Sequence, residues 1–406
     1  MFGVGDPILY GHAYQYFANA AWIAESPNPL YVILYFDNWR VQYDRWTTAP
    51  LYYFFVAGVF RLFGPHPWVL WLFQIALGAC AAAAVTAIGS RLGGRHGRHA
   101  GWIYALYLPA VQVCGTTLTE ALHTPLMLFA FERLLRARAN PGRHFMAGVI
   151  HGLAAMTRSV SSAFFVVMAW HRARWMGLRQ GALLVIALAL GGSLVILPWT
   201  ARNVFLLDEP VLIETFAFEN IWFANTFAGP GFQEAQRRDI VSRPTLREQR
   251  QAALDWTWRN LRRNPAKIGP KILDNVEHLV RPDGLHRWAQ AHVTVAGWRQ
   301  ALAVVFDDGP WLFGWAGLAG YLLLGRRGPA RSLVVSWMAY SLLMLAVVFI
   351  NEGRYRSILA PFLFAMAATA VGRGQRRTRL GVAAASLTPL QAVGVFGVAR
   401  DALRQA

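Results

Sequence analysis

The sequence has 406 residues, of which 55% are hydrophobic and 15% are charged. Soluble domains average about 25% charged residues, so this composition excludes an ordinary soluble protein and indicates a polytopic membrane protein. A formal net charge of +18 would suggest a nucleic-acid partner for a soluble chain, but we expect none for a membrane protein. The two cysteines, Cys80 and Cys114, lie in apolar stretches and fit neither a disulfide framework nor a zinc site.

Basic and acidic residues lie mostly in separate segments of the chain. Five short segments hold 17 arginines and no carboxylate: 91–100, 133–143, 171–179, 325–331 and 372–379. Short arginine-rich loops mark the cytoplasmic face of a membrane protein. Nearly all carboxylates lie elsewhere, in 1–48 and 204–309 or at Glu120 and Glu352. We expect these parts on the opposite, periplasmic face of a bacterial inner membrane.

The chain begins with a predicted periplasmic loop over residues 1–66. It opens MFGVGDPILYGHAYQY, which places Asp6 outside with no apolar stretch before it that could act as a signal. Either this end is translocated unaided, or a first transmembrane helix belongs upstream, and we favour the second interpretation. APLYYFFVAGVFRLFG (49–64) is too short for a span and contains Arg61. We therefore predict an interfacial helix on the outer face, with Pro50 in its first turn.

About ten transmembrane segments are expected in an all-α bundle, since a bilayer core needs about 20 apolar residues per helix. The apolar spans in the sequence are 67–90, 101–117, 119–136, 145–170, 181–199, 310–325, 332–350, 357–372 and 380–399. We assign 67–203 to a first transmembrane bundle and 310–406 to C-terminal transmembrane segments.

One span breaks the charge pattern. Residues 145–170 begin and end beside arginine loops and contain TRSVSS (157–162) at their middle. A single crossing would place one of these loops on the wrong side of the membrane. We therefore predict two half-helices that enter from the cytoplasm, with Thr157 and Arg158 near the apex. Broken backbone at that depth has to be surrounded by protein or by a wet cavity.

The long polar segment 204–309 is predicted to be a small, mainly helical periplasmic domain. Within it, PTLREQRQAALDWTWRNLRRNP (244–265) has helical periodicity. It also carries the Thr245/Glu248 pattern of a capping box and a proline stop.

Two carboxylates on the predicted outer face are candidates for chemistry, and each has a structural alternative. Asp6 precedes Pro7, a turn-forming pair that is common in solvated loops. Glu120 opens a span, where the helix dipole favours a carboxylate in the first turn. Buried carboxylates of membrane helices are nevertheless functional candidates by default, and both residues could face one cavity.

Arginines on the same face are the second set of candidates. Arg202 lies in LPWTARN (197–203), where snorkelling to the membrane interface is the simpler explanation. NEGRYR (351–356) concentrates arginines against the positive-inside trend. A guanidinium binds phosphate oxygens with two parallel hydrogen bonds, although a structural pair between Glu352 and an arginine explains the loop equally well. Histidines are scattered without metal-ligand spacing, and no P-loop or GxSxG motif is present.

These motifs, taken in order, resemble a known family. They are GDPILY, APLYYFFVAGVFRLFG, LTEALHTPLMLFAF, HGLAAMTRS, LPWTARN and the RYR of NEGRYRSILAPFLF. The chain is similar over nearly its whole length to polyprenyl-phosphate-sugar-dependent GT-C glycosyltransferases, the group of protein O-mannosyltransferases and of lipid A aminoarabinose and galacturonic acid transferases. In that family a transmembrane helix precedes the first outer loop, which supports the upstream helix expected above.

The resemblance implies a catalytic carboxylate in the first outer loop, and Asp6 matches that position. Family members often carry two adjacent acidic residues there, whereas Asp6 is followed by Pro7. A mechanism with two carboxylates would therefore need Asp37 or Asp44. The Pro-Pro-Leu that is common before the interfacial helix is Ala-Pro-Leu in this chain.

The resemblance implies transfer of a sugar from a polyprenyl phosphate to a hydroxyl of a periplasmic acceptor, with inversion at the anomeric carbon. The acceptor would be lipid A or lipopolysaccharide, another surface glycan, or a protein. No residue is assigned to a metal, and a requirement for a divalent metal is left open. The expected site residues are the carboxylates Asp6 and Glu120, the phosphate-binding arginines Arg202, Arg354, Arg356 and Arg158, and the sugar- or acceptor-binding tyrosines Tyr10, Tyr52 and Tyr355.

Two other classes of protein stay open. In a secondary transporter, Glu120, Arg158 and Glu352 would line a substrate pathway, although such proteins usually contain paired repeats and no repeat is evident in this sequence. A non-catalytic assembly subunit would be built around 204–309. Such a subunit would keep its function after the substitution Asp6→Asn.

Overall fold

The structure is a computed structural model that describes residues 12–28, 48–137, 139–207, 209–227, 230–282, 304–324, 328–348 and 355–374. Helices dominate these residues, and no strand occurs among them. The predicted all-α fold class is confirmed.

The helices are numbered here in chain order. They are α1 His12–Glu25, α2 Leu51–Phe63, α3 Pro67–Gly93, α4 His99–Leu106, α5 Leu108–Cys114, α6 Glu120–Arg136, α7 Pro141–Thr157, α8 Phe164–Met176, α9 Leu178–Leu207, α10 Phe216–Ala224, α11 Pro230–Val241, α12 Leu246–Arg263, α13 Pro265–Val280, α14 Gly309–Leu324, α15 Pro329–Leu343 and α16 Arg356–Gly374. A 3-10 turn covers Ser159–Ser161, and π-helical turns cover Val304–Asp308 and Met344–Val348.

Among the described residues, three helices are long and apolar enough to cross a membrane: Pro67–Gly93, Leu178–Leu207 and Pro329–Val348. The expected number of about ten segments stays a prediction. One predicted span, 101–117, is interrupted at Tyr107, where the backbone is extended with φ −70° and ψ 112°. Pro109 follows two residues later, and proline lacks the N–H and the space that a continuing helix needs.

The chain forms two compact units. The first comprises Met1–Ala81, Gln112–Leu279 and Val335–Tyr355, and the second comprises Ala82–Val111, Val280–Val334 and Arg356–Ala406.

In the first unit, α7 and α9 pack with their backbones in contact. Gly148 lies against the carbonyl of Leu188, and Gly191 lies against the carbonyl of Phe145, so a Cβ atom at either glycine would overlap the opposite backbone. Small residues that let two helices approach closely are typical of helix pairs in membranes. The packing fixes α7, the helix that leads to Arg158.

α2 has the bounds that the sequence predicted for the interfacial helix, within two residues at each end. Pro50 occupies the N-cap position, and the helix ends at Gly64, whose φ of 82° is a conformation that glycine adopts without strain. Arg61 donates hydrogen bonds to the carbonyls of Ala24 and Ser26, each at 2.9 Å. The arginine therefore satisfies carbonyls at the end of α1, while the interfacial position of α2 stays a prediction.

The predicted capping box at the start of α12 is present. The Thr245 side chain accepts a hydrogen bond from the Glu248 backbone N–H at 3.2 Å, and the Glu248 carboxylate accepts one from the Thr245 N–H at 3.4 Å. Pro265 begins the next helix directly after α12 has ended. The sequence therefore located both ends of this helix correctly.

α13 is tied to the π-helical turn after α15. Lys271 donates to the Asn225 side-chain oxygen at 2.8 Å and to the Val347 carbonyl at 2.9 Å. One helical turn later, Asn275 donates to the Ala346 carbonyl at 2.9 Å. These bonds satisfy carbonyls that a helix end would otherwise leave unpaired.

The second unit packs α14 against α16 through small residues. A Cβ atom on Gly317 would overlap Ala367. Trp311, at the start of α14, is buried and donates its indole N–H to the carbonyl of Val280 at 3.1 Å.

Candidate active site

The site is built around a break between two helices. α7 ends at Thr157, and Arg158 is extended with φ −150° and ψ 112° before the 3-10 turn begins. Hydroxyl groups bind local backbone at this point: Thr157 donates to the carbonyl of Leu153 at 2.9 Å, and Ser161 donates to that of Arg158 at 3.1 Å. Such bonds compete with the helix ladder. The predicted break is thus present, and the entry of both helices from the cytoplasm stays a prediction.

Arg158 forms an ion pair with Glu120 through Nη1. Glu120 is the first residue of α6 and is 1% exposed. Its second carboxylate oxygen accepts a hydrogen bond from the Thr119 hydroxyl at 3.1 Å. A buried carboxylate needs a partner of this kind, since an unpaired charge in such a place is very unfavourable.

Tyr355 supplies the third side of this group. The guanidinium of Arg158 lies over the Tyr355 ring, 4.8 Å from its centroid. This distance is within the range of a cation–π contact. The structure therefore brings together Glu120, Arg158 and Tyr355, which the sequence predicted from three separate motifs.

Glu214 is a carboxylate of this region that the sequence reasoning missed. It accepts hydrogen bonds from the Ser159 hydroxyl and, at 2.8 Å, from the Ala49 backbone N–H. Burial raises the pKa of Glu214, and the bonds from Ser159 and Ala49 together with the charge of Arg158 counteract part of this rise. The one available signal was a carboxylate inside an apolar stretch, VLIETF (211–216).

Tyr52 is fully buried, and its hydroxyl donates to the Gln74 side-chain oxygen at 2.7 Å. Gln74 in turn donates to the carbonyls of Cys114 and Thr116 at 2.9 and 2.8 Å. Burial raises the pKa of Tyr52 well above its ordinary value, with smaller effects from Tyr16 and Glu120. This chain of bonds supports the turn that leads to Glu120, and sugar contact by Tyr52 stays a prediction.

Arg202 lies near the end of α9 and contacts residues of its own helix. Its guanidinium lies over the Trp199 ring at 4.7 Å from the centroid and donates to the Asn203 side chain at 3.1 Å. Phosphate binding by Arg202 stays a prediction.

Arg356 belongs to the second unit and corrects one expectation. The sequence placed it in a short loop, but it is the first residue of α16 and is 1% exposed. Its guanidinium donates to the carbonyl of Arg281 and lies 4.9 Å from the centroid of the Trp311 ring. A helix start leaves backbone N–H groups unpaired and positive, so carbonyl and aromatic partners compensate a cation there.

Three of the predicted site residues lie outside the described residues: Asp6, Tyr10 and Arg354. The described residues contain no group of three or more His, Cys, Asp or Glu side chains that could hold a metal ion.

Comparison with known proteins gives structural matches alone. No family model matches the sequence, and no curated protein matches it. The archaeal oligosaccharyltransferase AglB from Archaeoglobus fulgidus, solved with an inhibitory peptide and a dolichol-phosphate, has a TM-score of 0.52 at 15% identity. The match covers 91% of this chain and 47% of that chain. The same oligosaccharyltransferase with Zn and sulfate also has a TM-score of 0.52 at 15% identity, over 94% of this chain and 47% of that one.

A further match is ArnT from Cupriavidus metallidurans bound to undecaprenyl phosphate, with a TM-score of 0.34 and 15% identity over 90% of this chain and 74% of that chain. The fold assignment stands on the oligosaccharyltransferase structures, of which this chain spans about half the length. At 15% identity, a structural match shows a shared fold and nothing about activity. The chain has the fold of the half of the archaeal oligosaccharyltransferase that the match covers.

Proposed function

We propose that this protein transfers a sugar from a polyprenyl phosphate to a hydroxyl group, with inversion, at the periplasmic face of a bacterial inner membrane. The observation that carries the proposal is the group formed by buried Glu120 and partly buried Arg158 and Tyr355 at a helix break within a GT-C fold. A cation held at a broken helix suits a negatively charged substrate group. The oligosaccharyltransferase of the same fold was solved with a dolichol-phosphate, which is a ligand of this class.

Asp6 is the general base of the proposed reaction. Its carboxylate takes the proton of the acceptor hydroxyl while the hydroxyl oxygen attacks the anomeric carbon of the sugar. The bond between that carbon and the phosphate oxygen breaks, and polyprenyl phosphate leaves with the bonding electrons. The acceptor is lipid A or lipopolysaccharide, another glycan of the cell envelope, or a protein.

Arg158 stabilises the departing phosphate. The contacts of its guanidinium with Glu120 and Thr119 both use Nη1. A guanidinium has five N–H donors in a fixed fork, so the Nε and Nη2 donors can serve phosphate oxygens. Fixed donors aimed at developing negative charge are usually the largest contribution to catalysis. Arg202 and Arg354 are the other proposed contributors, with Tyr10 and Tyr355 at the sugar or acceptor.

Glu120 acts through Arg158. Its carboxylate oxygens accept hydrogen bonds from Arg158 and from the Thr119 hydroxyl. We therefore assign it to holding the guanidinium in place, and we leave proton abstraction to Asp6. Residues 204–309 form the proposed periplasmic domain, between the two transmembrane parts 67–203 and 310–406.

The proposal is tested in cells first, because neither sugar nor acceptor is known. The gene is deleted, and the masses of lipid A, surface polysaccharide and glycoproteins are compared with those of the parent strain. A product that lacks one hexose, pentose or uronic acid identifies both substrates. Complementation with the wild-type gene should restore the product.

Asp6→Asn should abolish this complementation while the protein still accumulates in the membrane. Asparagine keeps the shape of aspartate but cannot take the proton, and loss of a general base costs about 10²- to 10⁴-fold in rate. Asp274→Asn is the matched control, because it changes a carboxylate on α13 that is paired with His278 at the surface. Full product formation by the Asp6→Asn variant would exclude Asp6 as the base.

A further inference from the structure

Glu214 joins three segments that are distant in sequence. Its carboxylate accepts from Ala49, directly before the residues that start α2, and from Ser159, in the turn that follows Arg158. These contacts connect residues 165 and 55 positions apart. The Glu214 carboxylate therefore connects the start of α2 to the helix break.

The segment that carries Glu214 is itself fixed to α9. Three successive carbonyls before Glu214 accept hydrogen bonds from α9 side chains. Asn203 donates to Val211 at 2.9 Å, Thr200 to Leu212 at 2.8 Å, and Trp199 to Ile213 at 2.9 Å. A group mounted in this way loses little further freedom when it holds another residue.

The turn 159–161 is held from a second direction as well. The hydroxyl of Tyr340, on α15, donates to the carbonyl of Val160. Ser159 and Val160 are thus both anchored, and Arg158 is the residue directly before them. The direction of the Arg158 side chain depends on the backbone that these two contacts fix.

We infer that Glu214 is a positioning residue, which holds the Ser159 turn so that Arg158 is aimed at the phosphate of the lipid-linked donor. This inference rests on the proposed function. Both carboxylate oxygens of Glu214 accept protein hydrogen bonds, so the residue acts through Arg158 and does not contact the reacting atoms. Donor groups that are held in the correct geometry before the reaction contribute most of their effect without reorganisation.

The inference is tested by binding of undecaprenyl phosphate to the purified full-length protein in detergent, followed by tryptophan fluorescence. The variants are Ser159→Ala, Glu214→Ala, the double variant and Glu214→Gln. Each single alanine variant should bind the lipid phosphate about tenfold more weakly, the effect of about one lost hydrogen bond. The double variant should bind no more weakly than Glu214→Ala, because that change already removes the contact with Ser159. Glu214→Gln should recover part of the affinity, since its amide oxygen still accepts.

Controls separate this inference from the proposed function. Glu234→Gln changes an exposed carboxylate that pairs with Arg238 on the surface of α11, and it should leave affinity unchanged. Ser159→Ala removes one hydroxyl and keeps the inference testable if Glu214→Ala does not fold.

Unchanged affinity in folded Ser159→Ala, or additive losses in the double variant, would overturn the positioning role while wild-type transfer still supported the enzyme. A wild-type protein that does not bind undecaprenyl phosphate overturns the inference directly. Absence of sugar transfer by a protein that binds it contradicts the proposed function alone.

Discussion

Arg158 and Glu120 form a pair whose members depend on each other. Glu120 has no exposed side-chain surface and the Arg158 side chain is 15% exposed. A buried ion pair adds little net stability, because both charges lose their hydration, but removal of one partner leaves an uncompensated charge. The pair is therefore better understood as a device for holding a cation in a defined place than as a source of stability.

Arg158→Met should lower the free energy of unfolding by about 3 to 5 kcal/mol, the usual cost of breaking a buried pair. The double variant Arg158→Met/Glu120→Leu should recover most of this loss, because no buried charge remains. Thermal unfolding of purified variants in detergent, followed by tryptophan fluorescence, measures both values. If the double variant is as unstable as the sum of the two single variants, the side chains are not paired.

Some residues of this site could be predicted from the sequence, and others could not. Glu120 and Arg158 could be predicted because a charged side chain inside an apolar stretch is energetically unfavourable and is therefore a functional candidate. Tyr355 was predicted from its place in the RYR motif. Glu214 was missed because its partners lie 55 and 165 residues away, and a single sequence contains no signal for such distant contacts. Arg356 was placed in the loop directly before the predicted span 357–372, whereas the helix begins one residue earlier, at Arg356.

Helix ends were predictable where the sequence contains caps and prolines. Thr245, Glu248 and Pro265 marked the ends of α12, and Pro50 marked the start of α2. The interruption at Tyr107 was not predicted, although Pro109 is present, because the apolar run continues across it. Hydropathy indicates which residues leave water, but it does not indicate where the backbone hydrogen bonds of a helix end.

Thr245→Ala should destabilise α12 by about 1 kcal/mol, because the Glu248 N–H then loses its acceptor. The effect should concentrate in the first turn of the helix, where hydrogen exchange of the backbone amides should become faster. Ser242→Ala is the matched control, since its hydroxyl donates to a carbonyl of the preceding turn at 2.9 Å and caps no N–H. Equal exchange rates in both variants would contradict the role of Thr245.

We predict the topology of the whole chain from the distribution of its arginines. Short arginine-rich loops mark the cytoplasmic face of a membrane protein, and the charge pattern is the basis for this assignment. The all-α fold class could be predicted from composition and motif order, and the helical structure confirms it.

Reporter fusions provide the test at this scale. Fusions after residues 95, 138, 175, 328 and 376 should be active with a cytoplasmic reporter and inactive with alkaline phosphatase, because these loops contain the arginine clusters. A fusion within 230–260 should give the opposite result. High alkaline phosphatase activity at 138 or 328 would invert the map and place Asp6 on the wrong side for the proposed reaction.

Backbone contact between α7 and α9 makes codons 148 and 191 poor targets for randomisation. Every amino-acid replacement of either glycine adds a Cβ atom that meets a main-chain carbonyl of the opposite helix, and no change of rotamer relieves that overlap. Relief of the overlap would require α7 and α9 to separate. Because α7 leads directly to Arg158, this separation would displace Arg158 as well. A directed-evolution library intended to broaden the acceptor range should therefore keep both codons fixed, since clones altered there would be lost before selection could act on specificity.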